Sequence, residues 1–213
     1  MKKFLFHLIH GKEARYGRWM ISTSGRQIWP MDCRPGDFII EDVAHNLSQI
    51  CRFAGSVEVF YPVSSHALMV ADIVRDMGGN YLQQFQGLHH DDPEFCASDV
   101  PNPLKQHLPD YQKAERGIWK ALAAQIGVPE KMSHLVKIAD KVAMVTERRD
   151  LLKPSHHVWK SCVGIKPLSS HVKIMSSQAS KHKFMERHHH LMAKMASQPE
   201  DVRKFEWDYI MAE

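Results

Sequence analysis

The chain has 213 residues, with 28 lysines and arginines against 24 aspartates and glutamates and a formal net charge of +4. This length favours one domain over two domains of full size. No apolar run approaches the roughly eighteen residues that a membrane helix needs, which argues against a membrane-spanning protein. The four cysteines lack C-x-x-C spacing, which argues against a zinc ribbon or a redox pair, so we expect reduced thiols.

The opening stretch, MKKFLFHLIHGKEAR, is basic and then apolar, as a secretory signal is. His7 interrupts its apolar part, and no small-residue cleavage site is visible. We therefore expect this stretch to be part of the mature protein and the protein to be cytoplasmic. Fifteen histidines are the compositional outlier, and they direct attention to metal-binding and proton-transfer chemistry.

Residues 1–36 are predicted to form an N-terminal arm. Between Arg18 and Pro35, β-branched and aromatic residues are mixed with Gly25 and two prolines, which favours a short hairpin or an irregular segment. We predict that residues 37–154 form a helical core and that residues 155–213 form a helical extension packed on this core.

The first core helix is predicted in IEDVAHNLSQICRF, where Val43, Leu47 and Ile50 recur at helical spacing. Arg52 is expected to close this helix and Gly55 to stop it. The second helix is predicted in VSSHALMVADIVRDMGG, with Ser64 or Ser65 as its N-cap. His66 falls in the first turn of this second helix.

The third helix is predicted in YLQQFQGLHH, after the capping residue Asn80. Asp92 followed by Pro93 resembles a cap and a first helical position, so a short fourth helix is expected in PEFCASD. His90 and Asp91 then lie at the junction of two helices.

The stretch VPNPLKQHLP is predicted to be a rigid loop, and the fifth helix is expected from Asp110 until Gly127. A sixth helix is predicted from Pro129 until Pro154, and a further one in SSQASKHKFMERHHHLMAKMA, followed by a short closing segment with Trp207 and Tyr209. The fold class is therefore predicted to be all-α.

Two histidines and two aspartates stand out as candidate metal ligands: His66, His90, Asp91 and Asp140. The helix that carries Asp140 is apolar on the same face, so a lone carboxylate there would be buried without a reason. A mixed set of nitrogen and oxygen donors suits one divalent ion, for which we expect Mn²⁺, Co²⁺ or Zn²⁺ in preference to Mg²⁺. Such a site would activate a water molecule.

The order of these ligands resembles the H…HD…D signature of the HD-domain metal-dependent phosphohydrolases, and residues from about Ile40 to Leu152 fit that helical fold. The run HDDPEFCASDVPNPLK resembles the HD-x-x-E-x-x-x-x-D-[hydrophobic]-P-x-P-[hydrophobic]-K segment of the bacterial 5′-deoxynucleotidase branch and of related phage deoxynucleoside triphosphate hydrolases. The resemblance implies a helical bundle around one divalent metal ion.

The resemblance also implies roles for further residues. Glu94 and Asp99 take the positions of the acidic pair that acts on the nucleophilic water and the leaving oxygen. Arg52, fourteen residues before His66, matches an arginine that holds phosphate, and Lys105 would offer charge to a phosphate. Phe53 stands where the deoxynucleotidase has a tryptophan beside the sugar, so it is a candidate substrate contact.

Further residues are candidates for supporting roles or depart from the family pattern. Glu147 lies seven residues after Asp140 and hence on the same helical face, where it could orient a ligand, bind a substrate hydroxyl or pair with a lysine. Arg26 is a minor phosphate candidate. His89 and Asp92 depart from positions that are usually apolar or small in the family. No ligand role is predicted for His45, His89 or the run from His188 to His190, because such histidines are more often solvated or structural.

The expected function is hydrolysis of a phosphate ester or anhydride of a 2′-deoxynucleotide. We favour a deoxynucleoside triphosphate, dATP by analogy with the phage relatives, with release of triphosphate, because the arm and tail add arginines and lysines. The alternatives are a 5′-deoxynucleotidase that releases phosphate from a monophosphate, a phosphodiesterase, and a non-catalytic nucleotide-binding or nucleic-acid-binding module. Neither a membrane nor a specific nucleic acid is expected as a partner, and a homo-oligomer is compatible with the sequence.

Overall fold

A computed structural model describes residues 6–7, 9, 13–157 and 159–213, so part of the opening stretch lies outside the described residues. The prediction of an all-α fold is confirmed, since the described strands are β1 (Met20–Ile21) and β2 (Gln27–Ile28) alone. They pair antiparallel, with Met20 opposite Ile28. Gly25 lies in the connecting turn at φ 84°, a conformation that favours glycine.

The arm is attached to the helical core by buried polar contacts. The Ser22 and Ser24 hydroxyls each donate to Asp42 Oδ2 at 2.6 Å, in the first turn of the first core helix. Arg15 forms an ion pair of 2.6 Å with Asp37. These contacts fix the hairpin against the start of the core.

Helix α1 (Ile40–Gln49) ends before Arg52, contrary to the expectation that Arg52 closes it. The chain leaves the helix because the Arg52 amide donates to the Tyr61 carbonyl at 2.9 Å, in an extended pairing with the segment before the next helix. Arg52–Gly55 then form a 3-10 turn of their own. This turn places the Arg52 side chain inside the molecule, where it is buried.

Helix α2 (Val63–Asp76) and helix α3 (Tyr81–His89) pack closely on each other. Asn80 caps α3 as predicted, because its Oδ1 accepts from the Gln83 amide at 2.8 Å. The expected cap of α2 is wrong: the N-cap is Pro62, and neither Ser64 nor Ser65 caps the helix. Their hydroxyls are buried against a helix from the C-terminal extension.

Three helices follow: α4 (Glu94–Ala97), α5 (Asn102–Lys105) and α6 (Pro109–Ile126). Asp92 is not the cap of α4, because Pro93 holds the N-cap position and makes no side-chain hydrogen bond. The predicted loop VPNPLKQHLP contains α5, so it is helical for one turn. Gly127 ends α6 as expected, in a left-handed conformation at φ 73°.

Helix α7 (His134–Leu151) begins later than predicted, after Ser133 and not at Pro129. The intervening residues remain a loop because Gln86 Nε2 donates to the carbonyls of Pro129 and Lys131 at 3.0 and 2.9 Å. A side chain of α3 thereby takes carbonyls that a helix would have used for its own hydrogen bonds.

The extension contains helix α8 (Ser177–Ala196), as predicted, and helix α9 (Glu200–Ala212) in place of a short closing segment. Phe184 and Leu191 of α8 belong to the main buried core, together with residues of α1, α2 and α3. Among the described residues, no helix combines the length and apolar composition that a bilayer crossing requires. Helix α8 of the extension therefore contributes side chains to the main core.

Candidate metal centre

Three side chains from three helices converge on one point. His66 lies in the first turn of α2, His90 directly follows α3, and Asp140 lies in α7. One ligand atom of each lies within 4.8 Å of those of the other two, and this group could hold a metal ion. His66 Nε2 is 3.2 Å from Asp140 Oδ1, and His90 Nε2 is 3.9 Å from the same oxygen.

The two imidazoles are oriented by hydrogen bonds on their other nitrogens. His90 Nδ1 lies 2.8 Å from the Gly87 carbonyl, which can only accept, so Nδ1 carries the proton. His66 Nδ1 lies 2.7 Å from Glu147 Oε1. Both Nε2 atoms are buried, and neither has a hydrogen-bond partner in the described part of the chain. Two fixed lone-pair donors without partners fit a bound cation.

Asp91, the fourth predicted ligand, lies at the edge of this group. Its Oδ1 is 3.3 Å from His90 Nε2, and its Oδ2 is 3.6 Å from His66 Nε2. Asp91 therefore faces the same two imidazole nitrogens as Asp140 does. Together the four side chains provide two nitrogens and two carboxylates.

The electrostatics of the cluster favour anionic carboxylates. Burial raises the pKa of Asp140, but the hydrogen bond and charge of the adjacent His66, together with the neighbouring His90 and Arg52, outweigh it and hold this pKa well below its usual range. Burial lowers the pKa of His66, yet the carboxylates of Glu147 and Asp140 raise it to about 10. The same carboxylates that raise the pKa of His66 would also attract a cation, so a proton and a metal ion would compete for His66 Nε2.

Arg52 extends the cluster on one side. Its Nη1 lies 3.7 Å from Asp91 Oδ2 and 3.6 Å from Asp99 Oδ2, and its Nη2 lies 3.4 Å from Glu147 Oε2. Burial lowers the pKa of this guanidinium, but the surrounding carboxylates raise it further, so it stays charged. Its Nε is buried without a hydrogen-bond partner among the residues described. A permanent positive charge therefore lies beside the candidate metal ligands.

Glu94 and Asp99, the predicted acidic pair, lie near this guanidinium. Glu94 is buried, and its Oε2 has no hydrogen-bond partner within the described ranges. Burial and the charges of Asp91 and Asp99 raise the pKa of Glu94 well above its usual range. Ser98, the residue before Asp99, ends α4 with φ 64°. Glu94 therefore keeps its proton to a higher pH than an exposed glutamate does.

Lys105 lies close to this acidic pair but is already paired. Its Nζ forms an ion pair of 2.6 Å with Glu115 Oε1 in α6. Glu115 was not among the predicted site residues, and no sequence pattern singles it out. A phosphate that used Lys105 would have to share this ammonium group with Glu115.

Glu147 is placed beneath the cluster. Its side chain has no exposed surface and is engaged by His66 and Arg52 at 2.7 and 3.4 Å. Both oxygens of this carboxylate face other side chains of the cluster, and a contact with substrate stays a prediction. The ligand-orienting alternative fits its position.

A second buried histidine group lies next to the metal candidates. His89 Nδ1 is 2.6 Å from Asp92 Oδ2, and His89 Nε2 is 2.9 Å from His188 Nδ1 of α8. The sequence assigned no ligand role to His89 or His188, and both instead form a buried structural chain. This chain explains why Asp92 is unavailable as a helix cap.

Comparison with known proteins gives relatives without an assigned activity. No protein-family model matches the chain. It is 37% identical over 142 residues to the uncharacterized protein YfdR of Escherichia coli strain K12, an alignment that covers 67% of this chain and 77% of YfdR. It is 27% identical over 136 residues to an uncharacterized protein of Rhodobacter capsulatus, covering 62% of this chain and 69% of that protein.

Proposed function

We propose that the chain, which belongs to the same family as YfdR of Escherichia coli, is a metal-dependent phosphohydrolase of 2′-deoxynucleotides. One observation carries the proposal: two buried imidazoles each have one nitrogen fixed by a hydrogen bond and the other without a partner, and the latter faces Asp140. A structural histidine normally uses both of its ring nitrogens when it is buried. The resemblance of the HD-x-x-E segment to the HD-domain phosphohydrolases is consistent with this reading.

The ion would be held by His66, His90, Asp91 and Asp140. This donor set suits Mn²⁺, Co²⁺ or Zn²⁺ better than Mg²⁺, which prefers oxygen ligands and retained waters. A bound divalent ion supplies Lewis acidity to a phosphoryl oxygen and lowers the pKa of a bound water. Glu147 fixes the His66 ring so that Nε2 points into the cluster.

The neighbouring residues are suited to phosphoryl chemistry. Arg52 carries a permanent charge that can neutralise charge on the phosphate in the transition state. Glu94, buried and with a raised pKa, can hold a proton at Oε2 for the oxygen that leaves or take one from the attacking water. Asp99 stands beside Arg52 as the second carboxylate of this pair.

Two substrates remain in the proposal, and the same bond breaks in both. Release of triphosphate from dATP and release of phosphate from dAMP each break the bond between the α-phosphorus and the 5′ oxygen, and the 5′ oxygen takes a proton. We place the triphosphate first. The arginines of the arm give this preference little support, because Arg15 and Arg34 pair with Asp37 and Asp32.

The test is a substrate and metal screen on the purified chain. Each deoxynucleoside mono-, di- and triphosphate and each ribonucleotide is incubated with Mn²⁺, Co²⁺ or Mg²⁺, and the products are resolved as phosphate, pyrophosphate or triphosphate. Asp140→Ala should lose both turnover and the rise in melting temperature that Mn²⁺ gives the wild type. Asp76→Ala, at an exposed aspartate of α2, is the matched control and should behave as wild type.

The outcomes are distinct. Triphosphate released from dATP supports the first substrate, and phosphate released from a deoxynucleoside monophosphate supports the second. A wild-type chain that neither gains thermal stability from any of these ions nor turns over any nucleotide contradicts the proposed function.

A further inference from the structure

Two aromatic rings, those of Phe53 and Trp159, lie in sequence beyond Arg52, and Trp159 belongs to the C-terminal extension. The Arg52 Cζ atom is 5.4 Å from the centroid of the Phe53 ring. The Phe53 ring is in turn 6.1 Å from that of Trp159, at an interplanar angle of 42°. Both rings are half-buried, so each keeps an accessible part. Neither ring is among the buried core residues of the described chain.

The backbone that carries Phe53 is strained. Phe53 and Ala54 adopt φ 55° and 51°, two consecutive left-handed conformations in residues that have a Cβ atom. The left-handed conformation is unfavourable for residues that have a Cβ atom. The extended pairing of the Arg52 amide with the Tyr61 carbonyl holds the turn in place. This backbone conformation places the Phe53 ring beside the Arg52 guanidinium. A ring that served only to fill the core would not require an unfavourable backbone conformation.

Trp159 is supplied by the extension and is held by a second arginine. The Arg148 Cζ atom of α7 lies 4.7 Å from the centroid of the Trp159 ring, which is a cation–π contact. Arg148 also donates from Nη2 to the His157 carbonyl, two residues before Trp159. The indole is therefore positioned by contacts with the same helix that carries Asp140.

Resting on the proposed function, we infer that Trp159 and Phe53 form the surface on which the nucleobase of the substrate stacks, while Arg52 holds its phosphate. The metal ligands and the Arg52 guanidinium lie at one end of the site and the aromatic rings lie beyond the guanidinium, which matches a nucleotide with its phosphate at one end and its base at the other. Stacking on aromatic rings tolerates every base. Trp159 then selects compounds that carry a base over simple phosphoanhydrides, without selecting which base.

The test compares one ligand with a base and one without. Binding of dATP and of inorganic tripolyphosphate is measured by titration calorimetry in a buffer that contains a metal chelator. The chelator prevents turnover, so the titration gives the affinity alone. Trp159→Ala is expected to weaken dATP binding by about tenfold, the usual size of a lost base–aromatic contact. Its tripolyphosphate affinity should stay at the wild-type value. Trp159→Phe should retain dATP binding, and Trp207→Ala, at an exposed tryptophan of α9, should bind both ligands as wild type does.

Each outcome bears on one proposal or both. Unchanged dATP affinity in Trp159→Ala, in a protein that hydrolyses deoxynucleotides, overturns the stacking surface and leaves the proposed function standing. Equal weakening of dATP and tripolyphosphate also overturns it, because the substitution would then disturb the phosphate end. A wild-type chain that binds neither ligand and hydrolyses no nucleotide overturns the proposed function and this inference together.

Discussion

Glu147 Oε1 lies 2.7 Å from His66 Nδ1, and neither side chain has any exposed surface. The two residues are 81 positions apart in the chain and come from α7 and α2. Since Asp140 also belongs to α7, one helix supplies both a candidate ligand and the group that orients another. The geometry of His66 and Asp140 is thus set by a single pair of packed helices.

The Glu147 contact predicts a loss of metal affinity. Glu147→Ala should reduce the affinity for Mn²⁺ by about 10- to 100-fold, the usual effect of removing the hydrogen-bond partner of a ligating histidine. Glu147→Gln should lose less, because the amide oxygen can still accept from His66 Nδ1. Titration calorimetry gives the affinities, and Glu186→Gln on the exposed side of α8 serves as the control. A Glu147→Ala protein with lower thermal stability but wild-type metal affinity would show that the contact only supports the fold.

Glu94 is expected to act on a proton and not on metal binding. Glu94→Gln should retain metal and nucleotide affinity while kcat falls by roughly 10²- to 10⁴-fold, the usual contribution of a general acid or base. The amide has the size of the carboxyl group but cannot exchange a proton at Oε2. Metal content, nucleotide affinity and turnover should be measured on the same preparation. A near wild-type kcat would leave Asp99 as the candidate acid or base.

Arg52 is expected to contribute to substrate binding. Arg52→Ala should raise KM, with or without a fall in kcat, because a guanidinium contact to phosphate is lost. Arg52→Lys should rescue poorly, since an ammonium group cannot make two parallel hydrogen bonds. Steady-state kinetics on the favoured nucleotide separates the two parameters. An unchanged KM in both variants would mean that Arg52 only balances the charges of Asp91, Asp99 and Glu147.

The buried His188 should make the folded protein less stable in mild acid. Burial, together with the neighbouring His89 and His189, lowers the pKa of His188 to about 3 in the folded protein. Its unfolded value is about 6.5, so between these two values the unfolded chain binds one proton more than the folded chain. The free energy of unfolding should therefore fall as pH drops below about 6.5, by up to about 1.4 kcal/mol per pH unit for this proton, and be independent of His188 above it.

The measurement is urea unfolding in chelating buffer between pH 7.5 and pH 4, roughly the window in which this proton is taken up. His188→Gln should flatten the dependence on pH, because glutamine binds no proton. His190→Gln, at an exposed position of the same helix, should follow the wild type. Equal slopes for His188→Gln and the wild type would assign the acid sensitivity to other groups.

Local features of the fold could be predicted from the sequence, and contacts across it could not. The Asn80 cap and the Gly127 stop depend on a few adjacent residues, and both are seen. The start of α7 was misplaced because Gln86, far away in the chain, takes the carbonyls of the preceding loop. Periodicity cannot reveal a side chain that competes for backbone groups from another helix.

The same distinction between local features and contacts of distant segments applies to the candidate site. His66, His90 and Asp140 were found because their types and spacing resemble a known signature, and they converge in space. The pairing of Lys105 with Glu115 and the burial of Glu147 were not predicted, because each depends on how two helices pack. Trp159 was missed since it lies beyond the segment that carries the motif.

Ser180 of α8 has its hydroxyl 2.5 Å from Ser64 Oγ and 2.9 Å from Ser65 Oγ, although 116 and 115 positions separate the residues. At a synthesis rate of about 5–20 residues per second, Ser180 leaves the ribosome roughly 6 to 23 s after Ser65. His66, the next residue after Ser65, is therefore made long before α8 can pack against α2 and α3. His90 and Asp140 also precede α8 in the chain, so all three candidate ligands are synthesised before the helix that completes their surroundings.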